Sequence, residues 1–296
     1  MARQAGLITP FSASPLVHDR GVLFPTHLPP ALLRSLVAHA QGYQVPANPR
    51  GLHRGLPSRH LTLVVELAAP LRVSGLGDTV AAHGVVGGLH TRPAMINASA
   101  PQEGLQYALT PRGARALLGV PAAELSGHAV DLVDLFGTRA AQLTDELHAA
   151  VGWRERFRLL DAALVHRMGD VDVSAPGEVA EAWRMIFATG GRVPVATVAA
   201  DVGWSRRHLA ERFGALTGLT PKQAARIARF EATRRFLVRP HRPPLADIAA
   251  RCGYADQAHL AREWRAMAGC SIGTWLREEL PFVQDGSSGE RAESPV

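Results

Sequence analysis

Two short sets of side chains, Arg206, Arg207, Ala210 and Glu211, then Gln257, Ala258, Ala261 and Arg262, stand at closely similar offsets about fifty residues apart. An arginine fork matches the two acceptors on guanine, a glutamine amide matches adenine, a carboxylate accepts from cytosine, and an alanine admits a thymine methyl. On the exposed ends of two helices these residues could read base edges. A flanking set, Ser205, His208, Lys222, Arg234, His259 and Arg265, carries donors suited to phosphate oxygens. His208 and His259 adjoin inward leucines, so packing or phosphate contact suits them better than base readout.

Other chemistry is poorly served. His53, His60, His83 and His90, with Glu66, could ligate a metal, but none has the tight spacing of ligands on one strand or helix. Ser58 and His60 lack the third orienting group and the oxyanion donors of nucleophilic catalysis. No metal, no cofactor and no enzymatic activity are therefore expected. Cys252 and Cys270 are the only cysteines, too few for a disulfide framework and consistent with a reducing cytoplasm. An alkyl-transfer repair protein would need N-terminal metal-binding cysteines, and residues 1–251 contain none.

The elements that would position the two sets are duplicated. Val195, Val198, Ala199 and Val202 form one apolar helical stripe, Gly203 stops it in a left-handed turn, Trp204 plugs the core, and Ser205 caps a second helix whose Leu209 and Phe213 face inward. Leu245, Ile248, Ala249 and Cys252, then Gly253, Tyr254, Asp256, Leu260 and Trp264, repeat that order. Each copy reads as a helix-turn-helix, with matching inward residues and different outward ones. Between them Thr220-Pro221-Lys222-Gln223 starts a helix of about 18 residues that Arg239-Pro240 ends. At about 1.5 Å per residue it spans roughly 27 Å, against about 34 Å between successive major-groove segments.

This order of stop glycines, inward pairs, linker helix and Gly253-Tyr254-Ala255-Asp256-Gln257 resembles the DNA-binding domain of AraC/XylS-type transcription regulators. The resemblance covers residues 174–281 and implies that both recognition helices enter the major groove, with Arg207, Glu211, Gln257 and Arg262 at base-reading positions. Ile272, where that family often has proline, and the three alanines depart from the pattern. The partners implied are double-stranded DNA, a small-molecule effector, a second copy of the chain, and RNA polymerase.

Charge supports a polyanionic partner. The formal net charge is +6, residues 174–285 carry +5 of it, and Lys222 is the only lysine. No apolar run reaches about 18 residues, so no membrane association and a cytoplasmic location are expected.

Upstream, residues 1–58 are rich in Pro and Gly apart from a helical candidate at 31–40. Apolar runs at 61–67, 71–73, 80–86, 94–96 and 106–109 read as strands. Helical spacing follows, with Leu143, Leu147 and Val151, then Phe157, Leu160, Leu164 and Met168. Ser174-Ala175-Pro176-Gly177 marks a boundary and caps a helix carrying Val179, Trp183 and Ile186. The expected fold class is α+β: a β-rich, cupin-like sensing or dimerisation domain with trailing helices (1–173), an all-α domain of two helix-turn-helix motifs joined by a linker helix (174–284), and a disordered tail (285–296). The alternative is a cupin-like small-molecule enzyme domain fused to a DNA-binding domain.

Overall fold

The computed structural model describes residues 22–168 and 177–279. The expected cap at Ser174–Pro176 and the expected disordered tail lie outside them.

Strong alternation builds the first region. In β4 (Leu61–Glu66), Leu61, Leu63 and Val65 point inward and are fully buried. They face Leu109, Tyr107 and Leu105 of β9 (Gln102–Leu109), which lies antiparallel to β4 in that register. The remaining strands are β1 (Thr26–His27), β2 (Val37–Val45), β3 (Leu52–Gly55), β5 (Leu71–Ser74), β6 (Val80–Ala82), β7 (Gly84–Gly87), β8 (Ala94–Asn97) and β10 (Ala129–Asp131). They form two antiparallel sheets, ordered β1-β2-β9-β4-β7-β10 and β3-β8-β5-β6. The second sheet has its own small apolar cluster around Leu71, Val73, Leu76 and Val85.

Four expectations change. The helix expected at 31–40 is a single 3₁₀ turn, Ala31–Leu33, followed by β2. The apolar spacing there suits a helix, but β9 offers β2 a ladder running from Val37↔Leu109 to Val45↔Gln102, which local propensity does not outweigh. The run at 80–86 divides at His83, where the chain leaves one sheet for the other. The run at 106–109 extends back to Gln102 through Gly104, a residue that reads as a break. A Cβ on Gly104 would lie 2.4 Å from the Val65 carbonyl oxygen, so only glycine lets the two strands approach there. Val151, expected on the stripe with Leu143 and Leu147, is 92% exposed in a turn.

The short helix α1 (Pro111–Gly113), a π turn at Ala114–Leu118 and α2 (Ala122–Leu125) precede β10. The trailing helices are α3 (Leu132–Phe136), α4 (Thr138–Ala149) and α5 (Trp153–Arg167). Asp161 on buried α5 is held by Tyr107 Oη at 2.9 Å and His27 Nε2 at 2.6 Å, which ties the edge strand β1 to the core.

The second region is all helical: α6 (Gly177–Ala188), α7 (Val195–Asp201), α8 (Arg206–Thr217), α9 (Pro221–Leu237), α10 (Leu245–Arg251), α11 (Gln257–Ala268) and α12 (Ile272–Glu278). The linker helix α9 has 17 residues, about 25 Å at about 1.5 Å per residue. It opens with a full capping box between Thr220 and Gln223 and with Pro221 in its first turn. Trp264 is buried between Phe230 of α9 and Trp275 of α12, with ring centroids at 4.7 and 5.2 Å. Trp264→Ala should therefore cost about 3–5 kcal/mol in urea unfolding. A loss under about 1 kcal/mol would show that this packing carries no weight.

Candidate nucleic-acid interface

Each of the helices α8 and α11 is aimed by its inward pair. Leu209 and Phe213 of α8, and Leu260 and Trp264 of α11, are 0–1% exposed. Being i and i+4, each pair fixes the rotation of its helix and leaves the opposite face to water. The turn before each helix is also matched. Gly203 (φ +73°) and Gly253 (φ +79°) adopt left-handed backbone, where a side chain would be strained. The following aromatics differ: Tyr254 is buried, whereas Trp204, expected as a full core plug, is only half-buried.

Both N-termini are capped as the residue types predict. The Ser205 hydroxyl accepts from the His208 backbone N–H at 3.1 Å, and the Asp256 carboxylate accepts from the His259 backbone N–H at 2.6 Å. The two histidines lie edge-on to the turn aromatics, His208 against Trp204 (4.7 Å) and His259 against Tyr254 (5.4 Å). His259 Nδ1 also accepts from the Ala255 N–H at 3.3 Å. Their matched positions thus serve the turn geometry. Burial pushes the Tyr254 phenol up to about 12 and raises the Cys252 thiol, so neither ionises near neutral pH.

The sequence-nominated reading residues come together on these faces. Arg206, Arg207, Glu211, Gln257, Ala258, Ala261 and Arg262 are exposed, and Ala210 is half-buried. Ser205, His208, Lys222 and Arg265 are exposed beside them or on α9, while His259 and Arg234 are half-buried. Burial lowers the Arg234 guanidinium, with Glu231 opposing and Arg235 reinforcing the shift.

Two ion pairs were not anticipated. Arg207 Nε donates to Glu211 Oε1 at 2.8 Å, so two nominated readers satisfy each other across one turn. Such an exposed pair contributes only about 0.2–0.5 kcal/mol and yields readily to a better partner. Arg226 Nε donates to Glu263 Oε2 at 2.6 Å, fastening α9 to α11. The i,i+4 spacing could have revealed the first pair; nothing local reveals the second.

The histidines and Glu66 of the first region are dispersed. His53 pairs with Glu279, His83 Nδ1 donates to the Glu66 carbonyl, and His90 Nδ1 donates to the Arg92 carbonyl. Among the described residues no three His, Cys, Asp or Glu side chains gather as metal ligands would. The Ser58 hydroxyl meets only the backbone of His60, donating to its carbonyl at 2.9 Å and accepting from its N–H at 3.1 Å.

Residues 180–278 match the family model described as a helix-turn-helix domain. In overall fold the chain is similar to a ToxT variant in its apo form from Vibrio cholerae, with a TM-score of 0.50 and 7% identity, covering 81% of this chain and 97% of that one. ToxT with a bound unsaturated fatty acid gives a TM-score of 0.48 at 7% identity, covering 81% and 94%. A structure described as an AraC-type transcriptional regulator from Chromobacterium violaceum has 23% identity and a TM-score of 0.32, covering 38% of this chain and 96% of that one. No curated protein matches. The chain thus joins an antiparallel β-sheet region to a helical region that carries a helix-turn-helix domain match.

At the seam between the two regions, burial pushes the His60 imidazole from 6.5 down to about 4, with Arg59 and His39 adding to the shift and Glu231 opposing it. Above about pH 6.5 His60 is neutral in folded and unfolded chains alike. As pH falls below 6.5, the unfolded chain binds a proton that the native site refuses, so stability declines toward pH 4. The wild type should therefore lose more urea stability than His60→Gln between pH 7 and pH 5. Equal losses would show that His60 is not held neutral.

Proposed function

We propose that the chain binds operator DNA by laying α8 and α11 in successive major-groove segments. Arg206, Arg207, Ala210 and Glu211 then face one set of base edges, and Gln257, Ala258, Ala261 and Arg262 face the other. The observation that carries this reading is the pair of capped recognition helices whose inward residues match while their exposed residues differ. Ser205, His208, Lys222 and Arg265 are the phosphate set. Arg234 and His259, both half-buried, act instead by holding the elements that carry the readers.

The β-rich region acts as the sensing or dimerisation part, taking a small-molecule effector, a second copy of the chain, or both. The regulator works in the cytoplasm, without catalysis, and meets RNA polymerase at its promoters. Among the described residues no helix is long and apolar enough to cross a membrane, in keeping with that placement.

The test begins with duplexes selected from a random pool by the full-length protein. Arg262→Ala should weaken the selected site by about 1–3 kcal/mol and relax preference at one base pair, whereas Arg265→Ala should weaken selected and random duplex alike. Equal losses on both duplexes for Arg262→Ala would contradict base readout. Binding should also fall steeply with salt, as phosphate contacts require.

A further inference from the structure

Both recognition helices end in a left-handed glycine, Gly218 (φ +72°) for α8 and Gly269 (φ +71°) for α11. The first region touches the chain at both of these equivalent positions. A Cβ on Gly218 would lie 2.3 Å from Ser126 Cβ and 3.1 Å from Ala123 Cα, and one on Gly269 would lie 2.9 Å from Pro93 Cγ. Ser126 Oγ also donates to the Gly218 carbonyl at 3.3 Å.

Ion pairs fasten the same seam at two places, with the cationic side chains on the first region and the carboxylates on the second. Arg59 grips Glu231 of the linker helix α9 with its backbone N–H (2.8 Å), Nε (2.8 Å) and Nη2 (2.6 Å), and its guanidinium lies 4.5 Å over the Phe187 ring of α6. Arg54 and Arg50 donate to Glu278 at 2.7 and 2.5 Å. Glu279, 2% exposed, accepts from the Arg54 backbone N–H at 3.1 Å and pairs with His53 at 2.8 Å. Buried carboxylates so placed lose their partners only at high cost, so the seam behaves as a fixed joint.

We infer that the β-rich region is a brace that sets the relative placement of the two recognition helices, with Arg59 and Arg54 as positioning residues for DNA reading. The linker helix α9 joins the two units and packs on the second through Phe230–Trp264 and Arg226–Glu263. The stretch after α9, residues 238–244, is irregular, and the brace adds a second connection between the units to the packing of α9. Two contacts at equivalent helix ends, spanned by one rigid sheet region, fix the remaining freedom. The seam meets α8 and α11 at their C-terminal ends, while the exposed reading residues cluster toward their N-terminal ends, so the brace holds without masking. This inference rests on the DNA-reading assignment.

The test uses full-length protein and a selected duplex in which one or two base pairs are added or removed between the segments read by α8 and α11. It also uses duplexes with either segment scrambled. The wild type should lose at least about tenfold affinity on each respaced duplex. Arg59→Ala and the double variant Arg50→Ala/Arg54→Ala should bind all spacings within about threefold of one another, with unchanged affinity for the half-scrambled duplexes. The exchanged pair Arg59→Glu/Glu231→Arg should restore spacing discrimination, a rescue that loss of folding could not give. Variants that keep wild-type spacing discrimination would overturn the brace while leaving DNA reading intact. A wild type indifferent to spacing would overturn it too, and failure to bind any duplex would remove the DNA-reading assignment with it.

Discussion

A short helix that must bury two large side chains one turn apart has no freedom left in its rotation. Leu209 with Phe213, and Leu260 with Trp264, impose that constraint on α8 and α11, and everything exposed on those helices follows from it. The caps at Ser205 and Asp256 then fix where each helix begins, and the left-handed glycines before them fix the angle of entry. Packing thus decides the orientation of residues that themselves pack against nothing. Sequence variation can be confined to the outward set without disturbing the fold, so two copies of one unit can carry different polar faces.

Electrostatics divides by location in a way that fits this division of labour. On the outward face of α8 the Arg207–Glu211 pair is solvated and weak, and in the proposed function it is available for exchange with base edges. Away from that face, Arg226–Glu263 and Arg59–Glu231 lie in partly enclosed surroundings and hold helices in place. Similar residue types therefore stand free for exchange at one end of the domain and hold helices at the other, according to how much water reaches them.

The helical half was largely legible from sequence because its signals are local. Stop glycines, caps, a capping box and i,i+4 apolar pairs all lie within a few residues of the feature they determine. The β-rich half was only partly legible. The second strand is decided by its ladder with β9, about sixty residues away, and the strand through Gly104 is decided by how closely Val65 approaches. The turn at Val151 breaks a stripe that spacing alone would continue. Contacts across the seam, such as Arg59 with Glu231 at a separation of 172 residues, have no local signature at all. Seven of the eight outward residues are exposed, as their spacing implies, and Ala210 is half-buried; the i,i+4 spacing of Arg207 and Glu211 also allows the pair that they form.

In the proposed function two helices of one chain read two adjacent groove segments. Methylation interference at guanine N7 on a selected duplex tests it most directly, because the modified atom lies in the major groove. The account predicts two clusters of interfering guanines per protein copy, on one face of the duplex and about one helical turn apart. A single cluster per copy, or interference spread evenly along the duplex, would contradict it.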